Sequence, residues 1–201
     1  MIRILLLTTI LMSSALPSSA IADKGLELTP FIGYRFGGSF NNEIINRSMD
    51  VDEQGSWGLV ISAPTASNKG YEILYSHQDS HLIDKNTPEE RFDLDIHYLQ
   101  LVGSVDVNYR YFTAFYNGGL GLTYMNPGQS GFNNETRLSL SLGGGLKWYL
   151  TDQVGIRLEI RGYGTLFNTS GSLFCHGGCD LALKSDLFPQ FETNLGLIFR
   201  F

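Results

Sequence analysis

Beyond residue 22 the sequence has no run of 18 or more apolar residues, so no membrane-spanning helix is encoded there. Charged residues are scarce at 17%, against about 25% for an ordinary soluble protein. That shortage implies a surface that is partly kept from water. There is no surplus of positive charge either: 14 Lys and Arg stand against 20 Asp and Glu, a net charge of −6. A basic patch for nucleic acid is therefore excluded as an expectation. Only two cysteines occur, Cys175 and Cys179, too few for a disulfide-built scaffold. No amphipathic helical period of useful length is found. The glycine clusters at 118–121 and 143–145 are not phosphate loops, because neither is followed by Lys-Ser/Thr or opens a helix.

What is present begins with an export pattern. Met1-Ile-Arg3 supplies a positive start, Ile4 to Met12 an apolar run, and Ala20-Ile21-Ala22 a small-x-small cleavage site. We expect residues 1–22 to be a signal peptide and 23–201 a single domain outside the cytoplasm.

That domain alternates between apolar and polar residues eight times over. In the first segment Leu28, Ile32, Tyr34 and Phe36 share one face, with Thr29, Phe31, Gly33 and Arg35 opposite. Trp57, Leu59 and Ile61 follow, then Tyr71, Ile73 and Tyr75. Between His97 and Val105 neither parity is clean, and Leu99, Leu101 and Val105 are taken as the outward set. The remaining apolar faces are Phe112 to Tyr124, Leu138 to Trp148, Val154 to Ile160, and Leu195, Leu197, Phe199 and Phe201 at the end. Pro30 lacks a ladder donor and predicts an irregularity in the first strand.

Connections near 37–55, 79–93, 125–136 and 165–187 read as long polar loops, while 64–69, 107–110 and 150–153 read as short turns. This rhythm predicts an all-β fold, an eight-stranded antiparallel up-and-down transmembrane β-barrel with both termini on the turn side, the periplasm. A soluble barrel or sandwich alternates too, with the apolar face inward. Strand length, the aromatics Tyr34, Tyr124, Trp148 and Phe199 near strand ends, and the small or charged opposite face favour the membrane form.

The stretches "LGLIFRF", "YLQLVGSV", "FYNGGLGLTY" and "SLSLGGGLKWYL" carry a resemblance. The sequence resembles the outer-membrane protein β-barrel domain family, the small eight-stranded barrels related in shape to the membrane domain of OmpA, to OmpX and to OmpW. The resemblance implies a Gram-negative outer-membrane location, contact with outer-membrane lipids, and Leu195, Leu197, Phe199 and Phe201 as a signal read by the barrel-assembly machinery. It implies architecture more than activity. The expected role is that of a monomeric, non-enzymatic envelope protein whose loops meet a surface partner. The alternatives are OmpW-like passage of a small hydrophobic ligand and, from a third class, a lipid-A-modifying enzyme.

Nine charged residues share the face opposite the apolar one: Arg35, Glu72, Arg137, Lys147, Arg157, Glu159, Arg161, Glu192 and Arg200. They form either a conducting pore lining or a packed, salt-bridged interior. An eight-stranded bore that side chains nearly fill favours the packed interior, with Glu159 and Glu192 as the partners expected for Arg157, Arg161 and Arg200.

Segment 75–84 gathers Ser76, His77, Asp79, Ser80, His81 and Asp84. Ser76 and His77 fall on opposite faces of an extended chain, so a polar loop is preferred to a catalytic triad. Cys175-His-Gly-Gly-Cys179 reads as a small disulfide loop in an oxidising compartment, with a metal held by Cys175, His176 and Cys179 as the rival. No catalytic residue, cofactor or metal is assigned from the sequence.

Overall fold

The structure, a computed structural model, describes residues 25–42, 47–65, 68–84, 91–128, 133–167, 183–184 and 187–201. The signal-peptide expectation at 1–22 and the Cys175–Cys179 pairing lie outside these residues.

The described residues form eleven strands: β1 Glu27–Phe36, β2 Ser39–Asn42, β3 Arg47–Val51, β4 Gln54–Pro64, β5 Lys69–Asp84, β6 Arg91–Asn108, β7 Thr113–Pro127, β8 Glu135–Tyr149, β9 Val154–Leu166, β10 Leu183–Lys184 and β11 Leu187–Arg200. Eight of them close a ring in the order β1-β4-β5-β6-β7-β8-β9-β11, each antiparallel to its neighbours, with β11 returning to β1. Closure leaves no free edge in the wall. The short strands β2, β3 and β10 extend the sheet beyond the ring at the loop end.

The direction of the alternation is the decisive finding. Outward-facing Ile32, Leu120, Leu142 and Ile160 are 70%, 65%, 76% and 61% exposed, while inward-facing Arg35 and Arg161 are fully buried. A soluble barrel would have the reverse. Each large apolar side chain left in water forgoes roughly 1.5–3 kcal/mol of burial, and here a continuous belt of them covers the wall. In the ambiguous strand β6, Leu99 and Leu101 do face outward, because their register partners Tyr75, Ile73, Leu122 and Leu120 already define the apolar face. The end residues Leu195, Leu197, Phe199 and Phe201 also stand on the outside.

At the other end the connections are tight. Thr65 N–H donates to the Lys69 carbonyl at 2.7 Å, and Asn68 takes φ 58° between them, a conformation asparagine tolerates. Thr151 Oγ1 accepts from the N–H groups of Gln153 and Val154, fixing the β8–β9 turn. Pairing of β1 with β11 lapses at Thr29 and Pro30 and resumes at Phe31, as the missing proline N–H requires.

Strand ends differ from the expected loops. Segment 79–93 is mostly strand: β5 runs to Asp84 and β6 starts at Arg91, so 75–84 is not a loop. The hairpin's outer face turns polar there, and the hydrophobic alternation fades while the hydrogen-bond ladder continues. Segments 37–55 and 125–136 likewise contain β2, β3 and the ends of β7 and β8.

Candidate functional site

The interior is built in layers from the turn end upward. Nearest the turns, Glu27 Oε1 accepts from Arg200 Nη2 at 2.6 Å, Arg200 Nε at 3.1 Å and Tyr149 Oη at 2.9 Å. Lys147 Nζ lies 3.3 Å from Asp106 and 4.0 Å from Glu27. A vestibule of about 600 Å³, lined in part by Glu27, Asp106, Tyr149 and Arg200, opens beside them.

The next layer holds the densest charge. Arg157 on β9 donates Nη1 and Nη2 to the two oxygens of Glu72 on β5, each at 3.0 Å, and its Nε to Glu159 Oε2 at 3.1 Å. The paired planar fork is the strong form of this interaction. The Arg157 guanidinium also lies 4.3 Å from the ring centre of Phe115. Glu159 Oε1 accepts from Asn117 at 2.8 Å and from Arg161, whose other nitrogen donates to Ser141. In the ring of eight, β5 and β9 are four places apart. The Arg157–Glu72 bridge therefore crosses the full width of the lumen.

Above it, Arg35 and Glu192 are register partners across the closing seam. Arg35 donates Nε and Nη2 to Glu192 Oε2 at 3.0 and 2.6 Å, and Nη2 also to Ser76, which itself donates to Glu192. Tyr163 Oη and Asn194 donate to the second carboxylate oxygen. Arg35 lies over the rings of Tyr98 and Tyr163, which stack with centres 4.1 Å apart. Tyr98 Oη donates to Gln190 at 2.9 Å, a second contact between strands four places apart. At the loop end the interior turns apolar, with Leu94, Ile96, Met125 and Phe188 fully buried.

All nine sequence-named charges thus have defined positions. Arg35, Glu72, Lys147, Arg157, Glu159, Arg161, Glu192 and Arg200 enter these layers, whereas Arg137 stays near the loop end, paired with Glu135 at 2.9 Å. Arg200 pairs with Glu27 and not with Glu159 or Glu192, because closure places Glu27 directly opposite it. Glu27 and Asp106 were missed, as were Tyr98 and Tyr163. Glu27 shares the parity of Thr29 and was readable on that ground; the two tyrosines look outward-facing by residue type alone. The layered charges balance: Arg35, Lys147, Arg157, Arg161 and Arg200 against Glu27, Glu72, Asp106, Glu159 and Glu192.

The Ser-His-acid grouping does not assemble. Ser76 is inside with Arg35 and Glu192, and Ser80 donates to the Asp52 carbonyl. His77 and His81 project from the other face, against Asp79 and Asp93.

No family model matches the sequence, and no characterised protein matches it in sequence. Solved structures do match its shape. Neisserial surface protein A superposes with a TM-score of 0.60 at 12% identity, over 88% of this chain and 97% of that one. The outer membrane protein OprG from Pseudomonas aeruginosa gives 0.58 at 12%, over 88% and 96%. The outer membrane protein AlkL gives 0.54 at 11%, over 89% and 90%. At such identities the likeness shows fold alone, and that fold is the small eight-stranded antiparallel barrel that these proteins share.

Proposed function

We propose that this chain is an integral outer-membrane protein whose barrel is a closed, non-conducting and non-enzymatic scaffold, carrying its interactions on the loop end. The Arg157–Glu72 bridge across the full lumen width carries this reading. A pore that selects ions by charge needs unpaired charge of one sign along a wet path; these charges are paired and balanced in sign, and those of the middle layers, Arg35, Glu72, Arg157, Glu159, Arg161 and Glu192, are buried. The exposed apolar belt and the outer-membrane barrels of the same fold support the location. The termini then lie on the periplasmic side, with the long β5–β6 hairpin and the segments 37–55 and 165–187 outside. Strands of 16 and 18 residues exceed the roughly 9–11 needed to cross a bilayer, so the β5–β6 hairpin stands clear of it. Planar-bilayer recording of the purified barrel tests the closed lumen.

A second reading, passage of a small hydrophobic ligand, is favoured by the apolar inner layer of Leu94, Ile96, Met125 and Phe188 at the loop end. The charged layers beneath it would force such a ligand out sideways. Mass spectrometry of protein extracted from membranes tests this: a stoichiometric apolar ligand would support passage.

A further inference from the structure

On the outer wall, one row of register partners runs across five strands: Ile32, Trp57, His77, His97 and Tyr124. On β5 and β6 it marks the edge of the apolar belt. Below it on β5 and β6 the outward residues are Tyr71, Ile73, Tyr75, Leu99 and Leu101; above it they are Asp79, His81, Asp93 and Asp95. His77 and His97 face each other directly, and their Nδ1 atoms are 3.2 Å apart. Two imidazoles bound to one tetrahedral ion at 2.0–2.1 Å hold their nitrogens roughly 3.3 Å apart by simple geometry.

The surroundings prepare the pair for a metal. Asp79 Oδ1 lies 2.8 Å from His77 Nε2. A carboxylate there accepts the Nε2–H hydrogen bond and so leaves the Nδ1 lone pair free, the usual support of a metal-bound histidine. Tyr75 Oη lies 3.0 Å from His97 Nδ1, so a third oxygen or nitrogen donor stands beside that nitrogen. Trp57 and Tyr124 flank the two rings at 5.3 and 5.7 Å. The His77 side chain is only 12% exposed, so the wall shelters it from bulk solvent.

We propose that His77 and His97, with Tyr75, form a binding site for a divalent transition metal of the zinc or copper class, on the outer wall where the apolar belt ends. Imidazole nitrogens select such ions over magnesium or calcium. Among the described residues no three His, Cys, Asp or Glu converge on one point. The described residues thus supply at most three ligand atoms, and water would complete the shell. Bound there, the ion would clamp β5 to β6 at the base of their protruding hairpin.

The test is zinc titration of tag-free folded protein in detergent against a chromophoric chelator. Heat-modifiable mobility checks that each variant folds. One equivalent is expected, with affinity falling at least about 100-fold in His77→Ala/His97→Ala and about 10- to 100-fold in Asp79→Asn. Copper bound to the wild type should show two nitrogen ligands by electron paramagnetic resonance. Zinc bound as tightly by the folded double variant would overturn the site, as would affinity lost in His176→Ala instead. So would no binding by the wild type, since a proton shared between the two rings would then account for the 3.2 Å approach.

Discussion

Arg157 and Glu72 meet across the whole width of the barrel, joined by two hydrogen bonds of 3.0 Å between strands at opposite sides of the ring. Each is at least 98% buried. Such a pair contributes little over an apolar filling of equal volume, but either member alone is costly. Glu72→Gln should therefore lower unfolding free energy by about 3–5 kcal/mol, read from urea unfolding of the folded barrel. Glu72→Gln combined with Arg157→Met should recover part of that loss. Simple additivity of the two changes would mean that the bridge is not the interaction that matters.

Glu159 holds two guanidiniums and Asn117 at once. Glu159→Gln leaves Arg157 its bidentate partner Glu72, but takes from Arg161 its carboxylate and leaves it the Ser141 hydroxyl. The folded, heat-modifiable fraction should fall further than in Glu72→Gln.

The turn-end pair behaves differently because Arg200 is 31% exposed and opens onto the vestibule. Glu27→Gln lets Arg200 turn to water, so the expected cost is only about 1 kcal/mol. A loss equal to that of Glu72→Gln would show the turn end to be as dry as the middle.

Space for the central carboxylate depends on Gly143. A Cβ there would lie 2.7 Å from Asn117 Oδ1 and 2.9 Å from Glu159 Oε1. Gly143→Val should thus push the Asn117 and Glu159 side chains out of their hydrogen bonds and lower urea stability by about 1–3 kcal/mol, whereas Gly103→Ala, whose Cβ meets nothing within 4 Å, should leave it unchanged within about 0.5 kcal/mol.

Much of this was legible in parity alone. The period of two put Arg35, Arg157 and Glu192 on one face and Ile32, Leu158 and Leu195 on the other, since each side chain on a strand reverses its neighbour. Partners were not legible, because a pair such as Arg200 and Glu27 is 173 residues apart and meets only through ring closure. The same holds for His77 and His97. His77 looked like part of a polar loop and His97 like the start of an ambiguous strand, and only the β5–β6 register makes them face one another. The extent of β5 was hidden for a related reason: beyond the apolar belt the outer face is as polar as the inner, and alternation no longer marks a strand.

The closed lumen rests most directly on current across a membrane. Wild-type protein inserted in planar bilayers at 1 M salt should show no steady open-channel conductance, because the Arg157–Glu72 and Tyr98–Gln190 contacts join opposite walls. A steady ohmic current of open-porin size, abolished by none of the voltages applied, would contradict the closed barrel and make the same ten charges the lining of a channel.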